Sequence, residues 1–110
     1  MAIESISDLF KAYQKNFVPE RADGVKAVFQ LHLSGDDGGD FFLTVADQTL
    51  KIETGTHPEP TTSLKASARD WIDISIGKAN PMMLMMTGKL KVSGSLPMAT
   101  RFQSMFRTGS

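Results

Sequence analysis

The sequence predicts an α+β fold, on three observations. Strand-type alternation is concentrated between residues 25 and 68, helix-type apolar stripes open and close the chain, and no repeat or long linker divides the 110 residues. Strands grouped together, with helices at the ends, describe a sheet covered by helices on one face. A chain of this size buries roughly two-thirds of its unfolded surface, enough for a core without staples. Residues 1–110 are therefore expected to form one globular domain.

The elements follow in order. Ile6, Leu9, Phe10, Tyr13 and Phe17 make one apolar stripe, so 5–17 is read as a helix. Ser5 is its N-cap, Asp8 sits in the first turn, and Val18-Pro19 ends it because the residue before proline avoids the α region. Residues 25–34 alternate, with Val25, Ala27, Phe29, Leu31 and Leu33 facing one way and Lys26, Gln30, His32 and Ser34 the other. The turn Gly35-Asp36-Asp37-Gly38-Gly39-Asp40 leads to a strand at 41–46, and Asp47-Gln48 to a strand at 49–54. A Pro-bracketed loop, 55–60, precedes a weaker strand at 62–68. The four strands are expected to be mostly antiparallel. The period then changes to a short helix around 71–76, closed by Gly77. Asn80 as N-cap and Pro81 at the first helical position open another, which stops at Gly88. A fifth strand, 89–93, and a helix, 96–106, finish the chain.

Composition excludes several functions. With no cysteine, disulfides, a thiolate nucleophile and a zinc ribbon are all impossible. Twelve cations against twelve acids give a net charge of zero, which does not favour a dedicated nucleic-acid binder. The longest apolar run, Met82 to Met86, is far short of the about 20 residues of a membrane span. The start, Met1-Ala2-Ile3-Glu4-Ser5, has no secretory pattern. The end, Thr108-Gly109-Ser110, is no peroxisomal tripeptide, and a cytoplasmic setting is expected. The zero charge is, however, two halves. Residues 1–73 hold 7 Lys/Arg and all 12 Asp/Glu, a net of −5. Residues 74–110 hold Lys78, Lys89, Lys91, Arg101 and Arg107 without an acid, and six of the seven methionines.

The segment 70–105 resembles the sterol carrier protein 2 family of lipid-binding domains. The resemblance rests on Trp71 and Ile74, then Gly77-Lys78-Ala79-Asn80-Pro81, then Gly88-Lys89-Leu90-Lys91-Val92-Ser93-Gly94, and a closing amphipathic helix with Gln103. The alternation of Phe29, Leu31 and Leu33 ahead of a Gly/Asp turn fits as well. It implies a curved, mixed five-stranded sheet covered on one face by about five helices, with an apolar tunnel between sheet and helices. That tunnel would hold fatty acids, fatty acyl-CoA, sterol-like ligands or phospholipids, and the family domain brings no catalytic residues and no cofactor. Where relatives carry Gln after Asn-Pro and aromatics near the helix end, this chain has Met82, Met85 and Met86. The implied tunnel wall is softer and less polar.

Each chemical candidate has a plain structural reading beside it. Methionine fills irregular core gaps, but four in five consecutive positions surround a short helix that a two-layer domain cannot bury on every side. Ligand or membrane contact is the second reading. The basic third is either a set of solvated lysines on a strand edge or an attraction for anionic bilayers and lipid head groups. Trp71 is read as a core residue, with which a tunnel-wall role is compatible. His32 and His57 are too few for a metal site, and no Gly-x-Ser-x-Gly pattern supports a triad. Asp36, Asp37 and Asp40 lack calcium-loop spacing, and Gly88-Lys89 lacks the rest of a phosphate loop.

The leading expectation is non-enzymatic lipid binding and transfer. Phe10, Phe29, Trp71, Met82, Met85, Met86, Phe102, Met105 and Phe106 are the expected lining, with Met98 to Phe106 as a lid. Expected partners are a lipid or fatty acyl ligand, transiently an anionic membrane, and a second copy or partner enzyme, but no nucleic acid. The alternative is an accessory or dimerisation module beside a lipid-, sulfate-ester- or quinone-metabolising enzyme. An enzyme acting alone has little support.

Overall fold

The computed structural model describes residues 3–106. The order is α1 (Ile6–Asn16), a 3₁₀ turn (Pro19–Ala22), β1 (Ala27–Ser34), β2 (Gly39–Ala46), β3 (Thr49–Thr54), β4 (Thr62–Ser67), α2 (Ala68–Ser75), α3 (Pro81–Met86), β5 (Lys91–Gly94) and α4 (Leu96–Ser104). Met1-Ala2 at one end, and Arg107 and Thr108-Gly109-Ser110 at the other, lie outside the described residues. Among the described residues there are four α-helices and one 3₁₀ turn, where about five helices were expected.

Helix α1 begins as anticipated, with the Ser5 hydroxyl accepting from Asp8 N at 3.1 Å. A second cap comes from far away: Ile6 N donates to the Asp37 carboxylate, so the acidic hairpin turn also holds the start of α1. The helix ends at Phe17, ahead of an extended Val18, and Pro19 starts the 3₁₀ turn that the periodicity did not show. Among the described residues, no helix is long and apolar enough to cross a membrane.

The sheet order is β3-β2-β1-β4-β5. The β1–β2, β2–β3 and β4–β5 ladders are antiparallel, and β1–β4 is parallel, which makes the sheet mixed. The β2–β3 turn places Asp47 and Gln48 at φ +51° and +60°, the two left-handed residues of a tight hairpin. The parallel pairing is fixed around Thr61 and Thr62. Val28 N donates to Thr61 Oγ1 at 3.0 Å, Thr61 N to Val28 O at 2.8 Å, and Thr62 Oγ1 to Ser95 O at 2.8 Å. Gly94 ends β5 at φ +86°, where a Cβ would stand 2.5 Å from Thr61 O, so only glycine fits.

Element ends differ from expectation for local reasons. Ser67 leaves β4 to cap α2, accepting from Asp70 N at 3.0 Å, so the helix starts at Ala68, three residues before the expected Trp71. The β5 ladder starts at Lys91 because the N–H groups of Lys89 and Leu90 both donate to Leu84 O, tying them to α3.

Alternation decides the layers. Ala27, Phe29, Leu31 and Leu33 of β1 are buried on the face that carries the helices, together with Leu43, Val45 and Leu64. The core lies between this face and Leu9, Trp71, Ile72, Phe102 and Met105 of the helical layer and its C-terminal continuation. The other face is polar, and one row across it reads Asp40, His32, Lys65, Lys91. His32 Nδ1 meets Asp40 Oδ1 at 2.9 Å, while Lys65 and Lys91 face each other as like charges. Gln30, on this polar side, is nevertheless buried. Its amide nitrogen donates to Phe41 O and Gly55 O, each at 3.0 Å, and its oxygen accepts from His57 N at 2.8 Å, so the 55–60 loop is strapped over it.

Candidate functional site

A cavity of about 590 Å³ opens within the helical layer. The apolar stripe of α1 contributes Leu9 and Tyr13, at i and i+4, with Ala12 beside them. Helix α2 contributes Trp71 and Ile74, at i and i+3, and Ser75. From α4 and its end come Phe102, Gln103 and Phe106. Ile3, Ile76, Gly77 and Asn16 complete the lining.

One wall is aromatic. Tyr13 meets Phe102 edge-on at 5.6 Å and Phe106 at 4.7 Å, and Phe102 meets Phe106 at 5.0 Å and Trp71 at 6.4 Å. Rings in such offset and edge contacts hold one another's orientation, so the wall is stiff. Polar groups are few. Tyr13 OH and Ser75 Oγ share a hydrogen bond of 2.8 Å. The Trp71 indole N–H is buried without a hydrogen-bond partner. The arrangement can take apolar matter out of water, with amide side chains of Asn16 and Gln103 available to a polar end.

Burial pushes the Tyr13 phenol above its usual range, against the Ser75 hydrogen bond, which favours ionisation. The Trp71 N–H also favours the phenolate, though it reaches no hydrogen-bond geometry. An unfolded tyrosine ionises near about pH 10 while the buried one stays neutral. The unfolded chain therefore binds fewer protons in that range, and stability falls as pH rises through it. Tyr13→Phe is expected to cost about 1 kcal/mol at neutral pH through the lost hydrogen bond, and to remove the phenol's part of the alkaline loss. Tyr13 is the chain's only tyrosine, so urea denaturation with phenolate absorbance across alkaline pH checks both. Native absorbance at the unfolded-chain midpoint would contradict the burial.

The nine expected lining residues separate into groups. Trp71, Phe102 and Phe106 line the cavity. Phe29 and Met105 are fully buried in the core, with Phe29 against Phe102 at 4.7 Å. Phe10 stands edge-on to Phe41 at 4.9 Å in a separate groove of about 450 Å³ between α1 and the β1–β2 hairpin. Met85 is half-buried against the core, whereas Met82 and Met86 are exposed and outside the cavity. Leu9, Tyr13 and Ile74 line it without having been singled out. Their signal was present, since Leu9 and Tyr13 share the α1 stripe and Ile74 follows Trp71 by one helical turn.

The basic third is partly gathered. Lys89 and Lys91 share a third concavity, of about 320 Å³, with Lys65 on the polar side of the sheet. Its carboxylate, Asp40, is engaged by His32. His57 lies in the strapped loop, with its Nδ1 accepting from Glu59 N. Among the described residues, no three His, Cys, Asp or Glu side chains come together as a metal site would need.

A mixed five-stranded sheet, helices on one face and an apolar cavity inside the helical layer define a sterol-carrier type of lipid-binding domain. The chain belongs to the SCP-2 sterol transfer family, whose model matches residues 6–107. It is 28% identical over 105 residues to hydroxysteroid dehydrogenase-like protein 2 of Rattus norvegicus, covering 92% of this chain and 20% of that protein. The chain thus spans about a fifth of that relative's length. The fold matches a part of the sec-alkylsulfatase Pisa1 from Pseudomonas sp., with a TM-score of 0.85, 17% identity, 97% of this chain and 17% of the sulfatase covered. It also matches the palmitated SCP2L2 of Aedes aegypti, with a TM-score of 0.64, 22% identity, and 100% and 99% of the two chains covered.

Proposed function

We propose that this protein binds one fatty acyl or sterol-like lipid in the cavity between α1, α2 and α4 and passes it on without chemical change. The cavity carries the reading: about 590 Å³, with Leu9, Trp71, Ile74 and Phe102 in its wall. That volume lies in the range of small-ligand sites. Each methylene moved from water into it contributes about 0.8 kcal/mol, whatever the chain's identity, so selectivity for chain type is loose. The Aedes protein of the same fold is palmitated, which supports a fatty acyl occupant. Trp71, Phe102 and Phe106 form the contact surface, with Phe29 and Met105 as the packing behind it. The polar end of the ligand lies towards Asn16 and Gln103. Native mass spectrometry after mild purification tests the reading, followed by titration with a fluorescent fatty acid and an acyl-CoA. A protein that carries no lipid and takes up neither probe would overturn it.

A second reading has its own support. The chain covers only 20% of the rat relative and 17% of the sulfatase, so in both the matching part sits in a larger protein named for an enzyme. Here the domain would serve as an accessory or dimerisation module beside a partner enzyme. Light scattering beside the probe titration separates the two, since a stable oligomer without uptake favours the accessory role.

A further inference from the structure

Helix α3 turns apolar side chains towards water. Met82, Met83 and Met86 are 65%, 59% and 80% exposed, and none of the helix's residues is buried. At 3.6 residues per turn these three fall within one arc of roughly 100°. Leu84 and Met85 occupy the remaining directions and are the ones packed against the core. The knob is held in place at both ends. The Asn80 side chain accepts from Met82 N at 2.9 Å, and Leu84 O accepts from Lys89 N at 2.8 Å and Leu90 N at 3.1 Å. A surface helix ordinarily carries polar groups on its outer arc, and this one has none there.

The surroundings are cationic. No acid occurs from residue 74 onward, and exposed Lys78 and Lys89 stand before and after α3. Lys89 continues into the concavity it shares with Lys65 and Lys91. Those three lysines have no carboxylate within 4.0 Å among the described residues, where the ion pairs are His32–Asp40, Lys51–Glu53 and Arg69–Asp73. Ile76, also exposed, adjoins Gly77 in the cavity lining and leads by chain into the knob.

We propose that α3 is a membrane-docking knob, with Met82, Met83 and Met86 entering the headgroup–acyl boundary of an anionic bilayer and Lys78 and Lys89 resting on its headgroups. Two observations select a bilayer over a protein. Three methionines on a six-residue helix fall well short of the roughly 800 Å² per partner that a stable protein interface buries. A few inserted apolar side chains with a cationic rim do suffice for reversible membrane contact. Flexible thioethers also suit acyl chains that present no fixed shape. The proposal gives the cavity a place to collect and deliver lipid, and rests on the cavity reading for that purpose alone.

Vesicle flotation with the full chain tests it, using phosphatidylcholine with and without phosphatidylserine. The variants are Met82→Gln/Met83→Gln/Met86→Gln and Lys78→Gln/Lys89→Gln, with Met86→Gln alone in reserve if the triple variant misfolds. The methionine variant should lose about tenfold or more in partitioning on anionic vesicles. The lysine variant should lose about tenfold there and show a weaker salt dependence. Both should keep the parent's circular dichroism and fatty-acid uptake. A parent that does not float at low salt would overturn the proposal, as would a methionine variant that floats like the parent. Self-association abolished by the methionine changes, without vesicle binding, would assign the arc to a second copy instead. Flotation intact with no fatty-acid uptake would sink the cavity reading and leave this one standing.

Discussion

Replacing Phe102 with alanine is expected to cost about 4 kcal/mol of folding stability, and Phe102→Leu clearly less. The ring is 2% exposed and stands among four others, from α1, β1, α2 and the C-terminal turn: Tyr13, Phe29, Trp71 and Phe106. It therefore joins the sheet to three parts of the helical layer at one point. Truncation leaves a void that merges with the existing cavity, and surrounding rings held by one another cannot collapse into it. Domains of this size hold only about 5–15 kcal/mol in total, so urea denaturation near the temperature of maximum stability is the suitable measurement. A loss below about 1 kcal/mol would show that the ring is not the joint between the layers. The same variant should admit bulkier fluorescent lipids, because Phe102 is part of the cavity wall.

Gln30→Leu is expected to cost about 3 kcal/mol, for a different reason. Leucine fills similar space, but the Phe41 and Gly55 carbonyls and the His57 N–H would lose their shared partner. Each buried polar group left unpaired costs about 1–3 kcal/mol, reduced where water can reach it. The His57 N–H and Gly55 carbonyl belong to the loop, which is free to lift, so local opening should precede global unfolding. Urea denaturation gives the total, and amide hydrogen exchange at His57 gives the local part. Unchanged protection at His57 would mean the loop is held by the Phe42–His57 ring contact, 5.5 Å apart, rather than by the glutamine.

Local features were legible in the sequence. Ser5, Asn80-Pro81 and Gly77 mark helix ends because capping is decided by a few neighbouring atoms, and β3 runs over Thr49–Thr54 as its alternation says. Alternation also placed Gln30 on the polar face, but a period gives the face and not what lies over it. The loop strapped across Gln30 is a long-range contact of 25 and 27 residues' separation. The parallel β1–β4 pairing was hidden likewise, since the pattern Leu64, Ala66 suits either direction. The cavity was half legible. Residue type marked Phe10, Phe29, Trp71, Phe102 and the methionines as apolar, and nothing in type says which side of a wall a ring stands on. Only the fold sends Phe10 to the α1–hairpin groove and turns Met82 and Met86 outward.

The knot at Thr61 and Thr62 has a kinetic consequence. The β1-β2-β3 meander closes only short turns, so its contacts are cheap to form early. β4 must instead find β1 across 33 residues, and Val28 is met there by both backbone and hydroxyl of Thr61. The same encounter seats Ser95, and with it α4. Sheet closure and helix docking thus become one event, with the entropy of a 33-residue closure standing before it. Stopped-flow refolding of Thr61→Val should accordingly slow while unfolding hardly changes; a change in unfolding alone would put closure after the barrier. Until β4 arrives, β1 stands as an open edge and Phe102 is not yet held against Phe29 by a seated α4, so the cavity wall is completed in that same step.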